Sequence, residues 1–471
     1  MQPDFVPYVT IQLPVYNELY VVERLLEAIV KMDYPKDKVE IQVLDDSTDE
    51  TSQIIADKIK ALAHYGWDMQ HIQRDNRQGF KAGALAYGME FCKGEFIAIF
   101  DADFIPQPDF LNITIPFFRN KKIGVVQTRW EHMNKDFSFF TQMQAFALDA
   151  HFVVEQMGRN LAGHFINFNG TAGLWRKECI VDAGGWASDT LTEDLDLSYR
   201  AQLKGWEFKY LVDVVTPSEL PIAMAAFKSQ QFRWTKGAAE CAVKNLPRVM
   251  KAKNVRFIDK LHAVFHLMNS GIFICILLLS ISSVPLVYIQ YTSQPNTIYS
   301  EILRYATLGS LNMIMVFIFF FLSYEHTRGF SAKTILSFIV KFPFFLCLSM
   351  GMALHNAFAA IEGYIGKKSP FVRTPKFNIE GKASEAAKKK AAKTPATTAW
   401  TPNKYMKKKK GIKAMTVFEF LFALFYLSAI VTSIYFGIYD MLPFHIMLFT
   451  GYMMITGYSF LHARMMAQME G

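Results

Sequence analysis

The sequence contains two pairs of aspartates whose types and spacing suit phosphate and metal chemistry. Asp45 and Asp46 form one pair, and Asp101 and Asp103, separated by one alanine, form the other. Two carboxylates in one crevice repel each other unless a cation lies between them, and oxygen ligands suit Mg²⁺ or Mn²⁺. The second pair therefore predicts a divalent-cation site, although a solvated turn is the alternative for it alone. The first pair suits the ribose and base of a nucleotide.

A cationic segment with two glycines, Arg77–Ala84, is a possible site for anions. Arg77 and Lys81 lie at the expected start of a helix, where backbone N–H groups and the helix dipole attract negative charge. An ordinary capped helix with a solvated lysine is the alternative. The spacing of the glycines fits neither a Walker loop nor a dinucleotide fingerprint.

Two further motifs bring acidic, basic and aromatic residues together. Thr192-Glu193-Asp194 opens a predicted helix, where a threonine cap and acidic first-turn residues are ordinary capping chemistry. Gln230-Gln231-Phe232-Arg233-Trp234 places an indole beside a guanidinium, and interfacial anchoring alone would account for that. Their presence in one chain indicates a more specific function than either motif alone.

The elements that must position these residues alternate along the first 250 residues. Short apolar runs predict strands at Tyr8–Leu13, Val39–Leu44, Trp67–Ile72, Glu95–Phe100 and Ile123–Thr128. Apolar residues at three- and four-residue spacing predict helices between them at Glu18–Val30, Glu50–Ala63 and Gly79–Phe91. This alternation predicts an α/β domain with a parallel sheet covered on both faces. Ligands then bind beyond the carboxyl ends of the strands, where the four aspartates lie.

The chain becomes strongly apolar after residue 258. Four stretches are long enough to cross a hydrocarbon core of ~30 Å: Leu261–Tyr288, Ile302–Ser323, Met415–Ile438 and Met441–Leu461. A fifth, Thr334–Ile361, carries charged residues and leads into a basic segment. If it crossed the membrane, that segment would face outward, against the positive-inside tendency. We therefore expect Thr334–Ile361 to lie along the interface, as we also expect for the basic, apolar stretch Gln231–Lys251.

Composition excludes several classes of protein. The chain is 51% hydrophobic and 15% aromatic, which excludes a disordered chain. Residues 367–413 hold fifteen Lys or Arg and two Glu. The net charge of this segment, +13, exceeds the net charge of +8 of the whole chain. A basic run beside apolar spans indicates a mobile, membrane-proximal cytoplasmic loop, so no nucleic-acid partner is expected. The five cysteines form no CxxC pair, so neither a disulfide framework nor a zinc site is predicted.

Taken together, the motifs resemble those of processive family-2 glycosyltransferases of the cellulose-synthase-like type, closest to mannan- and glucan-synthase-like members. The resemblance rests on Pro14-Val15-Tyr16-Asn17-Glu18, Asp45-Asp46, Asp101-Ala102-Asp103, Val126-Gln127-Thr128-Arg129-Trp130, Phe168–Arg176, Gly184-Gly185-Trp186, Thr192-Glu193-Asp194 and Gln230-x-x-Arg233-Trp234. It covers residues 8–250 and extends weakly to Phe371–Lys376, which is similar to the gating loop of cellulose synthases but has Arg373 in place of Val.

The resemblance implies a role for each matching residue. Asp194 would be the general base. The nucleotide sugar would be bound by Tyr16, Glu18, Asp45, Asp46, Lys81, Asp101 and Arg233. The divalent cation, Mg²⁺ or Mn²⁺, would be held by Asp101 and Asp103, and the acceptor by Glu193, Gln230 and Trp234. The gating loop would act through Phe371, Thr374 and Lys376, although a solvated linker is the alternative for this segment.

The fold implied is a nucleotide-sugar-binding α/β domain of the GT-A type joined to an α-helical transmembrane domain. The expected division is a cytoplasmic catalytic domain (1–220), interfacial helices with the Gln-x-x-Arg-Trp motif (221–260), two spans and an interfacial helix (261–364), a gating and basic loop (365–414), and two further spans (415–471). Family members usually carry a span before the catalytic domain. None is visible here, so we expect either a trimmed chain or a different topology.

The implied function is that of an inverting enzyme of the cell (inner) membrane, crossing it several times. It would polymerise a β-linked glucan or mannan from UDP-glucose or GDP-mannose onto a growing polysaccharide. The lipid bilayer and accessory export subunits would be its other partners. One alternative is a non-processive enzyme that adds one sugar to a lipid acceptor. A second is a polysaccharide channel without catalytic activity, which the full set of acidic residues disfavours.

Overall fold

A computed structural model describes residues 5–292, 311–369, 372–379 and 414–468. Phe371 and the part of the expected basic loop from residue 380 to residue 413 lie outside these described residues. The remaining candidate site residues lie within them.

The first part of the chain forms one seven-stranded sheet in the order β3-β2-β1-β4-β6-β5-β7. The strands are β1 Val9–Val15, β2 Val39–Asp45, β3 Asp68–Gln73, β4 Phe96–Ile99, β5 Ile123–His132, β6 Gly173–Arg176 and β7 Glu207–Ser218. All five strands expected from apolar runs are present. The aspartate pairs lie where the apolar runs end, at the last residue of β2 and just beyond β4.

The sheet is mainly parallel, as expected for the α/β domain, but it also contains one antiparallel strand. β1 pairs in parallel with β2 and β4, but β6 runs antiparallel to both β4 and β5. β6 has only four residues, so its short apolar run gave no periodicity from which to predict it. Its insertion brings the Phe168–Arg176 motif beside the carboxyl end of β4.

Helices cover both faces of this sheet. In α1 the residues Val22, Leu25, Leu26 and Ile29 are buried at three- and four-residue spacing, as the amphipathic pattern predicted. The helices of this part are α1 Val22–Ile29, α2 Thr51–Leu62, α3 Phe80–Phe91, α4 Phe110–Thr114, α5 Phe139–Ala150, α6 Met157–Leu161, α7 Lys177–Asp182 and α8 Glu193–Leu203. A π-helical turn, His151–Gln156, joins α5 to α6, and 3₁₀ turns lie at Lys36–Lys38, Ala63–Tyr65 and Ile115–Arg119.

The rest of the described chain is helical. Its helices are α9 Met224–Lys251, α10 Phe257–Leu267, α11 Ile272–Thr292, α12 Leu311–Arg328, α13 Ala332–Gly351, α14 Ala353–Tyr364, α15 Ala414–Phe436 and α16 Leu442–Gln468, with a 3₁₀ turn at Asn269–Gly271. Within the described ranges, four helical stretches are long and apolar enough to cross a membrane: Asn269–Thr292, Ala332–Gly351, Ala414–Phe436 and Leu442–Arg464.

This set differs in part from the four expected spans. The first expected span, Leu261–Tyr288, is divided by the 3₁₀ turn, so the long apolar helix begins later than the composition indicated. The second, Ile302–Ser323, lies partly outside the described residues. Ala332–Gly351, which we expected along the interface, is also long and apolar enough to cross, so its interfacial orientation stays a prediction.

Close packing ties the helices to each other and to the sheet domain. Gly351 and Gly451 face each other where α13 crosses α16, and a Cβ on either glycine would clash with the facing backbone. The ammonium of Lys228 on α9 lies 2.6 Å from the fully buried carboxylate of Glu419 on α15 and 3.0 Å from Ser459 Oγ on α16. Helix α9 therefore connects the sheet domain to the apolar helices.

Candidate active site

One cavity opens at the carboxyl ends of β1, β4 and β7, against the N-terminus of α8 and one side of α9. Most of the residues assigned from the sequence line it: Tyr16, Glu18, Asp46, Lys81, Asp101, Asp103, Glu193, Asp194, Gln230, Arg233, Trp234, Thr374 and Lys376. Residues far apart in the sequence therefore converge on one site, as the strand-end argument predicted.

Asp45 differs from the expectation, because it does not line the cavity. Its carboxylate accepts hydrogen bonds from Ser52 Oγ at 2.6 Å, the His71 ring at 2.9 Å and Gln73 Nε2 at 3.2 Å, as well as from a backbone N–H. Burial opposes its ionisation, but hydrogen bonds from His71, Ser47 and Ser52 outweigh burial and lower the Asp45 pKa to about 2. Asp45 therefore holds the loop that follows β2, and its assignment to nucleotide binding is not supported by its position.

The end of the cavity beside β1 and β2 has the features of a base and ribose site. The Arg77 guanidinium lies over the Tyr16 ring at 3.3 Å from its centroid. Arg74 donates to both oxygens of Asp46, with Nε 2.9 Å from Oδ1. This forked pair fixes the Asp46 carboxylate at the cavity wall. Arg77, which we expected with Lys81 at an anion site, lies against Tyr16 and is among the lining residues.

In the middle of the cavity, a lysine connects two of the sequence motifs. The Lys81 ammonium forms an ion pair with Asp101 and donates to the Gly170 carbonyl at 2.9 Å. Gly170 has φ of +80°, a conformation that glycine adopts without strain. A Cβ there would lie 2.9 Å from Asp194 Oδ2. The glycine therefore leaves room for the Asp194 carboxylate.

Glu193 and Asp194 begin α8 and face the same cavity. Burial raises the pKa of Asp194, and the neighbouring Glu193 charge raises it further, while the Leu195 N–H and Lys81 oppose the shift. Thr192 was expected to cap this helix, but its side chain makes no capping hydrogen bond and instead lies 3.3 Å from Cys241 Sγ. The threonine part of the capping alternative is therefore not seen, although Glu193 and Asp194 do lie in the first turn of the helix. A carboxyl whose pKa is raised toward neutrality suits a general base.

Asp103 lies deeper and is already paired. Lys376 Nζ is 2.7 Å from its Oδ2, and the Glu219 backbone N–H points at the same oxygen from 3.4 Å. Among the described residues, no three His, Cys, Asp or Glu side chains converge as a complete metal-ligand set. Asp101 and Asp103 still fit a hard cation that takes its other ligands from phosphates and water, as Mg²⁺ commonly does.

Helix α9 supplies the wall opposite Asp194. Gln230 lies one turn before Arg233 and Trp234, so it shares a side of the helix with each of them, and all three side chains line the cavity. The Trp234 ring lies 6.4 Å from the Trp130 ring, with an angle of 52° between their planes. Two inclined aromatic rings beside a buried carboxylate form a surface on which a sugar ring can stack.

The segment Val372–Ile379 covers the cavity. Arg373 donates through Nε and Nη2 to the two oxygens of Glu18, each at 2.7 Å. Burial raises the Glu18 pKa to about 7, although Arg373 favours the charged form. Farther along, the Phe377 and Ile379 N–H groups donate to the Glu219 carboxylate at 2.9 and 3.3 Å. These contacts do not fit the alternative of a solvated linker.

Two residues that hold the covering segment in place, Glu219 and Arg373, were not assigned a role from the sequence. Glu219 follows the carboxyl end of β7, so the strand-end rule that found the aspartates could have found it too. Arg373 was noted only as a departure from a motif. Its partner, Glu18, lies 355 positions earlier, a distance over which sequence patterns give no pairing signal.

Comparisons with known proteins match mainly the sheet domain. The profile of the family described as "Glycosyltransferase like family 2" matches residues 7–237. A probable glucomannan 4-beta-mannosyltransferase 4 of Oryza sativa subsp. japonica is 46% identical over 264 residues, which is 55% of this chain and 48% of the relative. Glucomannan 4-beta-mannosyltransferase 2 of Arabidopsis thaliana is 43% identical over 264 residues, 55% of this chain and 49% of the relative. The chain thus spans about half the length of the curated relatives it matches.

Among solved structures, a mannosyltransferase from Pyrobaculum calidifontis in complex with GDP-Man and Mn²⁺ is similar in fold. It aligns with a TM-score of 0.51 at 20% identity, covering 78% of this chain and 89% of that chain. At this identity the similarity concerns the fold alone.

Proposed function

Because residues 7–237 belong to glycosyltransferase-like family 2, we propose that the chain is a membrane-embedded, processive, inverting hexosyltransferase. It builds a β-linked mannan or glucan from a nucleotide sugar. The observation that carries this proposal is the convergence of Asp194, Lys81, Asp103 and Trp234 on one cavity. The relatives named as glucomannan 4-beta-mannosyltransferases support a mannosyl product with 1,4 linkage.

The donor binds along the strand ends. Tyr16, Arg77 and Asp46 take the nucleoside, while Lys81 and Arg233 offer positive charge to the diphosphate. GDP-mannose and UDP-glucose both present this combination of base, ribose and diphosphate. Arg233 lies on α9 across the cavity from Lys81, so the diphosphate is held from two sides.

Asp101 and Asp103 would hold a divalent cation, Mg²⁺ or Mn²⁺. When bound, such an ion neutralises charge that develops on the departing diphosphate. Lys376 and Lys81 already neutralise the same two carboxylates. Positive charge at this point would therefore come both from the two lysines and from the cation that the two carboxylates would hold.

Asp194 carries the chemistry of the acceptor. Its carboxylate takes the proton of an acceptor hydroxyl while that oxygen bonds to the anomeric carbon and the bond to the diphosphate breaks. One base without a second, nucleophilic carboxylate gives a single displacement, so an α-linked donor yields a β-linked product. Trp234 positions the acceptor by stacking, which tolerates the sliding of a chain between additions.

The apolar helices embed this machinery in a membrane, and we place the sheet domain on its cytoplasmic side. The Lys228–Glu419 ion pair joins α9, which lines the cavity, to a helix able to span. A polysaccharide cannot cross hydrocarbon unaided, so the helices next to the acceptor end provide its route. Because these helices lie next to the acceptor end, the proposal includes translocation of the polysaccharide by the same chain.

Nucleotide release tests the proposal. The purified chain in detergent, with Mn²⁺ or Mg²⁺, is expected to release GDP from GDP-mannose or UDP from UDP-glucose. Asp194→Asn is the matched control, because it keeps the shape of the side chain and removes the base. Absence of release from both donors, or equal release by the variant in the presence of acceptor, would contradict the assignment.

A further inference from the structure

Two polar groups in the cavity wall have no use in the chemistry described so far. Trp130 and His132 are alternate residues of β5, so their side chains lie on the same face of the sheet, and both line the cavity. The His132 side chain is almost fully buried, at 2% exposure. Within the described part of the chain, neither His132 ring nitrogen nor the Trp130 indole N–H has a hydrogen-bond partner.

The acidic neighbour of His132, Asp149, is too far away to form a hydrogen bond with it. Asp149 Oδ1 lies 3.9 Å from His132 Nε2, beyond hydrogen-bond distance, and Asp149 Oδ2 instead faces Arg328 at 3.6 Å. Burial, assisted by the positive charges of Lys135 and Arg129, lowers the His132 pKa to about 3. The ring is therefore neutral at physiological pH, with one nitrogen donating and the other accepting.

A buried polar group without a partner costs about 1–3 kcal/mol, so a core imidazole is normally satisfied within the protein. The Trp130 and His132 groups lie together on one wall of the cavity, beside the aromatic rings at the acceptor end. Trp130 packs edge-on against Phe104 at 5.1 Å and faces Trp234 at 6.4 Å. A sugar stacked on Trp234 would bring its hydroxyl groups against this wall.

We propose that Trp130 and His132 form an acceptor subsite, in which the indole N–H and the imidazole bind hydroxyl groups of the sugar that stacks on Trp234. The inference rests on the proposed function and extends it to two polar groups with no role so far. A hydroxyl group both donates and accepts, which matches a neutral imidazole. The apolar sides of the two rings leave the sugar free to move on once its hydroxyl groups exchange partners.

The test measures binding of β-1,4-mannotetraose and cellotetraose to the full chain in detergent by calorimetry, together with the KM of each in nucleotide release. We expect His132→Phe to weaken tetrasaccharide binding and raise the acceptor KM about tenfold, since hydrogen bonds of this kind contribute on this scale. Trp130→Phe, which keeps the stacking ring, should do the same to a smaller extent. His132→Gln, which keeps a donor and an acceptor, should recover most of the affinity.

In all three variants, affinity for the nucleotide sugar, measured without acceptor, should change much less than affinity for the tetrasaccharides. His64→Phe, a histidine change in the exposed turn after α2, is the matched control and should leave every parameter unchanged. Tetrasaccharide binding by His132→Phe equal to wild type, or a wild type that turns over donor but binds neither tetrasaccharide, would overturn the subsite while the proposed function stands. A wild type without nucleotide release contradicts the proposed function itself.

Discussion

Arg373 and Glu18 form a forked ion pair, with two hydrogen bonds of 2.7 Å, between the covering segment and the loop after β1. Both side chains are mostly buried, with exposures of 12% and 13%. Opening the cavity therefore separates a shielded pair, and closing it removes the Glu18 charge from water. The geometry gives the covering segment Val372–Ile379 two anchors, Glu18 at its start and Glu219 at its end.

The first prediction concerns these anchors. Arg373→Ala should leave Glu18 buried without its cation, which is strongly unfavourable, so the covering segment should open more often. Hydrogen exchange of the Phe377 and Ile379 amides should rise at least tenfold, and nucleotide release should fall. Glu219→Ala should raise the same exchange by removing the acceptor. Lys121→Ala, on the exposed surface, serves as the control. Unchanged exchange in both anchor variants would contradict the closed arrangement.

A second prediction concerns the base. Asp194→Asn should lower sugar transfer by about 10²–10⁴ while donor binding persists. Since burial raises the Asp194 pKa, wild-type activity should fall on acidification at a pH above the ordinary range of a carboxyl. The same shift makes the folded state progressively less stable as pH rises from the ordinary pKa of an aspartate to the raised one. Asp194→Asn should therefore raise the midpoint temperature of unfolding more at pH 8 than at pH 5. A variant that unfolds at a lower temperature than wild type at pH 8 would contradict the assignment.

A third prediction uses two glycines with similar backbones. Gly170→Ala places a Cβ 2.9 Å from Asp194 Oδ2, whereas Gly66→Ala has a similar φ of +72° and nothing within 4 Å. Both variants carry the strain of a positive φ, about 1–3 kcal/mol. Only Gly170→Ala should displace the Asp194 carboxylate. It should therefore reduce sugar transfer at least tenfold, although the strain of the positive φ destabilises both variants to a similar extent. Equal activity of the two variants would show that the close contact has no functional consequence.

A fourth prediction concerns competition for Asp103 between Lys376 of the covering segment and a divalent cation. The Lys376 ammonium and a divalent cation are both attracted to Asp103. Without donor, Lys376→Gln should therefore bind Mn²⁺ more tightly than wild type, by about tenfold, as measured by paramagnetic resonance of free Mn²⁺. Asp103→Asn should abolish this binding. Equal Mn²⁺ affinity of wild type and Lys376→Gln would show that the ammonium does not compete for the site.

The sequence predicted the positions of strands and of acidic strand ends well, because apolar runs and amphipathic spacing are local signals. It did not predict the direction in which a side chain points. Asp45 and Asp46 are adjacent, yet only Asp46 faces the cavity. The contact of Arg373 with Glu18 depends on tertiary structure, and a single histidine such as His132 is usually an ordinary core residue. What was missed therefore consists of the strands β6 and β7, side-chain orientations and long-range pairs.

The product itself tests the central claim most directly. The purified chain is incubated with radiolabelled GDP-mannose or UDP-glucose and Mn²⁺, and the product is sized before and after digestion with β-1,4-mannanase or β-1,4-glucanase. The account predicts a ladder or insoluble polymer that the matching β-specific enzyme degrades, and no polymer from Asp194→Asn. A single sugar attached to lipid, or a product that resists both enzymes, would contradict it.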